Sequence, residues 1–328
     1  MNDLFGLLDK HGGYNIVGHV RPDGDCVGSE VALSLIIRAL GKGCSVIRND
    51  IIPPDFAVFF DGVPCVSMGE IDGNLPLICV DCSDYERVGQ GVQRVYDAAF
   101  LNIDHHISNN NFAQNNIVDG NAVSTTEILA EALIENKFTI TKSIADALYL
   151  GIMTDTGRFA YAAASLGART FRIAELLIDA GTNPNKIYSL AYENNTLQRY
   201  KLLERLLKNL EIFCDGRVCL SFVTESDFIE TGATSLDTEG FSNYTRELKG
   251  VLVGCFLEVR KDSVKCSLRA TDKSLRMDLL ASLFGGGGHF CAAGFLKTGI
   301  STLNFVDDLK LVLCKHMEKF CNDYPPTR

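Results

Sequence analysis

The sequence predicts a mostly parallel, doubly wound α/β domain followed by a smaller α+β domain. Three observations carry that reading. The chain has 328 residues, about twice the ~150 of a typical domain. Short apolar runs alternate with helix-period patterns through the first half, the rhythm of β-α units around a parallel sheet. Beyond residue 210 the rhythm changes to hairpins and a run of glycines.

Taken in order, residues 15–20, 44–48, 75–81 and 98–104 read as strands. Residues 29–40 place Val31, Leu35, Ile36 and Leu40 on one helical face, with Gly41 as the stop. Ser124-x-x-Glu127 is a capping-box pattern ahead of a helix at 128–134, and further helices fit 143–153 and 167–180. Residues 187–210 read as one long helical stretch, and the interdomain linker is placed there. The hairpin 211–214 and 217–223 turns at Asp215-Gly216. Strands at 251–260 and 264–270, a helix at 275–284, the glycine run and a final helix at 303–320 complete the second domain. The expected division is 1–187 for the first domain, 188–211 for a helical linker and 212–328 for the second domain.

With 31 Lys+Arg against 41 Asp+Glu the net charge is −10, which argues against a broad basic face for long duplex DNA. A short anionic ligand held by metals fits that balance. No run approaches the roughly 18–20 apolar residues of a membrane helix, and Asp3, Asp9 and Lys10 spoil a signal peptide. The expectation is a soluble, cytoplasmic protein. Its 12 cysteines lie scattered through apolar stretches, as reduced core thiols do. Cys79-x-x-Cys82 begins inside an apolar run instead of opening a helix, so packing explains it better than redox chemistry or zinc.

Chemistry gathers at the predicted strand ends. His19-Val20-Arg21-Pro22-Asp23-Gly24-Asp25 follows the first strand, Asp81 and Asp84 close the third, Asp104-His105-His106 closes the fourth, and Asp155 lies just past the helix at 143–153. Each cluster alone could be a solvated turn. Together at one sheet edge, where such folds bind ligands, they crowd negative charge that cations must neutralise. Carboxylates and imidazoles without thiolates suit Mn²⁺ or Mg²⁺ better than structural zinc. Two such ions about 3.5–4 Å apart stabilise the attacking and leaving oxygens at phosphorus, which predicts phosphoester hydrolysis.

In the second domain, Gly285–Gly288 with His289 can let a phosphate approach backbone N–H groups. A flexible linker is the bland alternative, and the apolar continuation Phe290–Phe295 speaks against it. Residues 245–276 hold eight basic and four acidic residues; a solvated strand face accounts for several of them.

These motifs resemble the DHH phosphoesterase superfamily. The carriers are His19-x-x-Pro22-Asp23-Gly24-Asp25, Asp81-x-x-Asp84, Asp104-His105-His106 with Asn109, and Gly151-x-x-x-Asp155-Thr156-Gly157. Gly285–His289 with Ala292-Ala293-Gly294 is similar to the signature of the associated DHHA1 domain. Size and organisation most resemble the group of bifunctional oligoribonucleases (nanoRNases) and 3′-phosphoadenosine 5′-phosphate phosphatases. The resemblance implies one metal on His19, Asp23 and Asp81, and a second on Asp25, Asp81, His105 and Asp155, with Asp81 bridging. It implies that His106 faces the scissile phosphate and that Asp104 orients a neighbouring imidazole. It also implies substrate contacts from Arg246, Arg269, Gly286, Gly287, Gly288 and His289. Cys26 and Cys82 depart from the small residues commoner in the family without touching the ligand set.

The expected protein is therefore a hydrolase using two Mn²⁺ ions, with Mg²⁺ or Co²⁺ as substitutes. Its partners would be short single-stranded RNA or DNA oligonucleotides or small nucleotides, with no long duplex and no membrane, and homodimerisation is left open. The nearest rival is a phosphodiesterase for cyclic di-AMP or pApA. A pyrophosphatase lacks the glycine-histidine signature, and a non-catalytic nucleotide sensor would lack ligand residues that are all present here.

Overall fold

The computed structural model describes residues 3–160, 164–300 and 302–323, and the chain divides into two compact units at Asn194–Asn195. In the first unit, strands β1 (Gly13–Val17), β2 (Gly43–Arg48), β3 (Cys65–Ser67), β4 (Leu77–Val80), β5 (Leu101–Asp104) and β6 (Asn115–Val118) form one sheet. Every pairing is parallel, in the order β3-β2-β1-β4-β5-β6. Helices α1 (Leu4–Leu8), α2 (Gly24–Ala39), α3 (Pro54–Ala57), α4 (Gln90–Gln93), α5 (Thr125–Glu135), α6 (Lys142–Asp155), α7 (Ala164–Asp179) and α8 (Pro184–Tyr192) accompany it.

Period-2 alternation splits the strands between two cores. Ile16, Ile78, Val80 and Ile103 pack with residues of α2, α5 and α6. Val17, Leu77 and Cys79 turn to the other side, against Val88, Val92 and Tyr96. Burial on both faces is why these strands read as near-continuous apolar runs. From β1 the chain proceeds to β2, and from β4 to β5, on opposite sides of the β1–β4 pair. That reversal opens a crevice at the carboxyl ends of β1 and β4, the ends that carry His19 and Asp81.

The predicted fold class holds, with corrections to its elements. α2 starts at Gly24, earlier than the expected residue 29, because Asp23 caps it by accepting from the N–H groups of Asp25 and Cys26. The stretch 187–210 is two helices, α8 and α9 (Leu197–Lys208). Asn194 donates to the Leu190 carbonyl at 2.7 Å and Thr196 accepts from Arg199 N at 3.0 Å, so one helix ends and another is capped within a few residues. Strands β3 and β6 were missed: one has three residues, and the other begins with two asparagines, which have poor strand propensity.

The second unit pairs β7 (Glu211–Phe213), β8 (Val218–Thr224), β9 (Val253–Val259), β10 (Ser263–Ala270), β11 (Gly287–Gly288) and β12 (Ala292–Thr298) in the order β11-β12-β10-β9-β8-β7. All its pairings are antiparallel except β8 with β9. Its helices after α9 are α10 (Glu225–Thr231), α11 (Phe241–Arg246), α12 (Met277–Ser282) and α13 (Thr302–Asp323). Val253, Cys255, Leu257 and Leu268 pack with α12 and α13 through Leu280, Leu309 and Leu313. Phe256 and Val223 pack on the opposite side with Leu202, Leu206, Phe228 and Phe241. The helix expected at 275–284 shortens to α12, since Arg276 takes a left-handed φ of 48° ahead of it.

The expectation of twelve reduced thiols fails at two of them. Cys214, beside the β7–β8 turn, is disulfide-bonded to Cys314 on α13 across a sequence separation of 100. Cys79 and Cys82 are free and buried, in line with packing. Among the described residues no helix is long and apolar enough to cross a membrane. Closing so long a loop restricts the unfolded chain, an effect typically of about 2–4 kcal/mol. Cys314→Ser is expected to lower the unfolding free energy of the full chain, read from urea denaturation, by that amount. A thiol reductant should reproduce the loss in the wild type and add nothing to the variant.

Candidate metal centre

His19 sits two residues beyond β1, Asp81 directly follows β4, and Asp104 ends β5 with His105 and His106 behind it. A parallel sheet puts these carboxyl ends on one edge. The α2 N-terminus adds Asp23 and Asp25, and the C-terminal end of α6 adds Asp155. Two of the metal-sized groupings that result are His19, Asp23 and Asp81, and Asp25, His105 and Asp155, each with ligand atoms within 4.8 Å of one another.

Asp81 divides between them. Its Oδ2 lies 3.4 Å from His19 Nε2, whereas its Oδ1 lies 3.6 Å from both His105 Nε2 and His106 Nδ1. Its φ of 58° turns the carboxylate out of the strand direction. Asp23 Oδ2 is 3.8 Å from His19 Nε2 while its Oδ1 caps α2, so one carboxylate serves both. His105 Nε2 is approached by Asp155 Oδ2 at 3.2 Å and by Asp25 Oδ2 at 4.0 Å. His106 Nδ1 lies 2.7 Å from Asp104 Oδ1, and Asn109 donates to both Asp104 and the Cys82 carbonyl. Asp84 does not join these groups. It caps the turn at Tyr85–Val88 by accepting from Glu86 N and Arg87 N.

The charges are frustrated without cations. Burial pushes the Asp25 carboxyl well above its ordinary range, and the charges of Asp81 and Asp155 push it further. Burial likewise drives Asp155 up to about 6, with Asp23 and Asp81 adding to the rise and the His105 hydrogen bond opposing it. Burial would lower His19 and His105, but hydrogen bonds and charges from the surrounding aspartates raise each to about 11. Imidazole and carboxylate donors packed this closely fit divalent cations, which would supply the positive charge now borrowed from the rings.

Several contributors escaped the sequence reading. Thr125 and Thr126 at the start of α5 donate to Asp25 and Asp81. The cue was present, since Ser124 does cap α5 by accepting from Glu127 N, but nothing local says which carboxylates lie opposite. Glu30, on the sheet-facing side of α2, accepts from Gly18 N at 2.7 Å and holds the turn before His19; burial raises its carboxyl to about 7. Gly151 was noted only for its spacing from Asp155. A Cβ there would lie 2.3 Å from Thr126 Oγ1 and 2.5 Å from Asp25 Oδ1.

In the second unit, Arg246 ends α11 and Arg269 lies on β10. Arg269 pairs with Gly254 and Ala292, and Ala292 exchanges backbone hydrogen bonds with His289 at 2.7 and 3.2 Å. Paired residues face the same side, so Arg269 and His289 share one row with small residues beside them. A Cβ on Gly254 would lie 2.7 Å from Arg246 N, which brings α11 onto that row. The second half of the glycine run, Gly287–Gly288, is an edge strand paired with β12, and the first half turns out of α12. Gly285 N and Gly286 N donate to the Ser282 and Ala281 carbonyls, so those two amides are already used. Gly286 is also required by packing, because a Cβ would meet the Gly294 carbonyl at 2.2 Å. Part of the surplus basic charge is paired, Lys265 and Arg260 with Glu258 and Arg276 with Asp278.

Residues 14–152 match the family described as the DHH family, N-terminal domain. Residues 14–152 are thus a DHH-family domain within the first unit. The chain is 28% identical over 292 residues to the bifunctional oligoribonuclease and PAP phosphatase NrnA of Thermus thermophilus, covering 87% of this chain and 84% of that one. Against the protein of the same name from Bacillus subtilis it is 25% identical over 285 residues, covering 84% and 86%. Among solved structures, an exopolyphosphatase-related protein from Bacteroides fragilis superposes with a TM-score of 0.83 at 24% identity, over 96% of this chain and 94% of its own. That likeness speaks for the fold.

The DHH unit depends on Gly151 for the closeness of α6 to the buried Asp25. Alanine would gain up to about 1 kcal/mol of helix propensity, but its methyl has no space and overpacking costs about 1–3 kcal/mol. Gly151→Ala is expected to lower the urea midpoint and weaken divalent-cation binding. Gly69→Ala, with nothing within 4 Å of the new Cβ, should leave both unchanged.

Proposed function

We propose that this chain is a phosphoesterase using two Mn²⁺-type ions. It would hydrolyse short oligoribonucleotides to mononucleotides, and 3′-phosphoadenosine 5′-phosphate to AMP and phosphate. The observation that carries the reading is Asp81, whose two oxygens face two separate imidazole-carboxylate groups. The names of the relatives favour this substrate class over cyclic di-AMP.

His19, Asp23 and Asp81 would hold one cation, and Asp25, Asp81, His105 and Asp155 the other. The pair supplies Lewis acidity toward the phosphoryl oxygens and lowers the pKa of attacking water toward neutrality. The chain's own groups do the rest. The His106 ring is held at Nδ1 by Asp104 Oδ1 at 2.7 Å, which leaves Nε2 as the nitrogen that would pass a proton to the leaving oxygen. Asp104 stays ionised despite its burial because His106 and Asn109 donate to it, and so it fixes the ring that faces the phosphate. In the second unit Arg246, Arg269, His289 and Gly286–Gly288 would contact nucleotide phosphate, with arginine suited to two-point phosphate contact.

The test is turnover of 3′-phosphoadenosine 5′-phosphate, pApA, a ribotrinucleotide and cyclic di-AMP by the purified full chain. The trinucleotide and 3′-phosphoadenosine 5′-phosphate should be hydrolysed with Mn²⁺, stopped by a chelator and restored by added metal. Asp81→Ala should lower kcat by more than about 100-fold, beyond what loss of an outer hydrogen bond costs. Wild-type turnover by that variant, or cleavage of cyclic di-AMP alone, would overturn the reading.

A further inference from the structure

Thr125 and Thr126 are fully buried, and each sends its hydroxyl to a different aspartate. Thr125 Oγ1 donates to Asp81 Oδ1 at 3.1 Å, and Thr126 Oγ1 donates to Asp25 Oδ1 at 2.7 Å. The backbone joins in, with Thr125 N donating to Asp25 Oδ2 at 2.7 Å and Thr126 N to Asp25 Oδ1 at 3.0 Å. The first amides of a helix have no intrahelical acceptor. Ser124, the local cap, is occupied with Glu127 N at 3.0 Å, so the amides of Thr125 and Thr126 are satisfied by a carboxylate about 100 residues away in sequence.

The proton directions follow. Thr126 Oγ1 spends its single proton on Asp25, so in its 2.8 Å contact with Ser124 Oγ it must be the acceptor. A chain of hydroxyls from Ser124 through Thr126 therefore ends on Asp25 Oδ1, each bond polarising the next. Asp25 Oδ1 thus has two donors, and Oδ2 is the oxygen turned to His105. On Asp81 the Thr125 hydroxyl reaches only Oδ1. Rotation of that carboxylate about its Cβ–Cγ bond would break this hydrogen bond and take Oδ1 and Oδ2 away from their separate groups.

We propose that Thr125 and Thr126 are positioning residues that fix the rotation of Asp81 and Asp25 and thereby set metal affinity, a role that rests on the two-cation reading above. Neither threonine touches substrate. Thr125 holds the shared carboxylate and Thr126 the carboxylate of one position only, so their losses should differ in kind.

The experiment is a Mn²⁺ titration of the full chain followed by the electron paramagnetic resonance signal of free Mn²⁺, with steady-state kinetics and thermal unfolding beside it. Thr125→Val keeps the shape and removes the donor. Mn²⁺ should bind about 10–100-fold more weakly, and kcat should fall at saturating substrate with little change in KM. Thr126→Val should weaken one Mn²⁺ equivalent and spare the other. Thr125→Ser and Thr126→Ser restore the hydroxyl and should return affinity to near the wild-type value. Wild-type Mn²⁺ binding by Thr125→Val, or serine variants as weak as the valine ones, would overturn the inference while leaving the proposed function standing. If a valine variant does not fold, its serine counterpart together with the other valine variant decides the matter. A wild-type chain that binds no Mn²⁺ and cleaves no phosphoester would instead defeat the proposed function.

Discussion

Everything in the first unit is organised around carboxylates taken out of water beside one another. Asp25 and Asp81 are almost wholly buried, and Asp155 meets the same imidazole that faces both. A lone buried carboxylate is costly, and several in contact are costlier because each raises the others. The protein answers with three sources of positive potential: the His19 and His105 rings, the amide ends of α2 and α5, and places suited to cations. The first two are built from the chain alone and are incomplete, as the upward shifts at Asp25 and Asp155 record. The third would remove the remainder, and that would tie metal binding to the integrity of the fold.

The architecture makes such crowding attainable. A parallel sheet delivers every strand's carboxyl end to one edge, and the reversal between β1 and β4 leaves room there. Helices then close in from one face. Their approach depends on a missing side chain at Gly151, where Thr126 and Asp25 occupy the volume of a methyl group. The Asp25 carboxylate is thus both a partner of the α5 N-terminus and a neighbour of His105. Asp23 has the same dual character, capping α2 with one oxygen and facing His19 with the other. Structure and chemistry share the same atoms at this edge, so a substitution here alters both together.

How far the sequence disclosed this follows from the range of the interactions. The strand ends carrying His19, Asp81 and Asp104–His106 were legible because apolar runs stop where polar clusters begin. Asp84 looked equivalent to Asp81, yet it caps a turn; spacing of three does not reveal which carboxylate points inward. The α2 start was misplaced because its cap, Asp23, had been read only as chemistry. Thr125 and Thr126 were invisible as partners, since the capping box announces a helix start but not a carboxylate a hundred residues distant. The Cys214–Cys314 bond was missed for a related reason: composition treats cysteines as a population, whereas pairing depends on two Cβ atoms meeting in space.

The glycine run shows how one sequence signal can have two physical causes. Four consecutive glycines suggested backbone amides offered to phosphate, but the edge strand claims some of them first. Gly286 is glycine because β12 presses on it, and Gly288 takes a φ of 140° that side chains avoid. The amides of Gly285 and Gly286 close the end of α12. Beside them runs a row of the sheet on which Arg269 and His289 flank the small Ala292. Small residues between cationic side chains allow an anion to approach the strand closely. Recognition on this unit, as proposed above, would therefore depend on side chains raised from a glycine-lined row more than on the loop amides that the sequence brought first to attention.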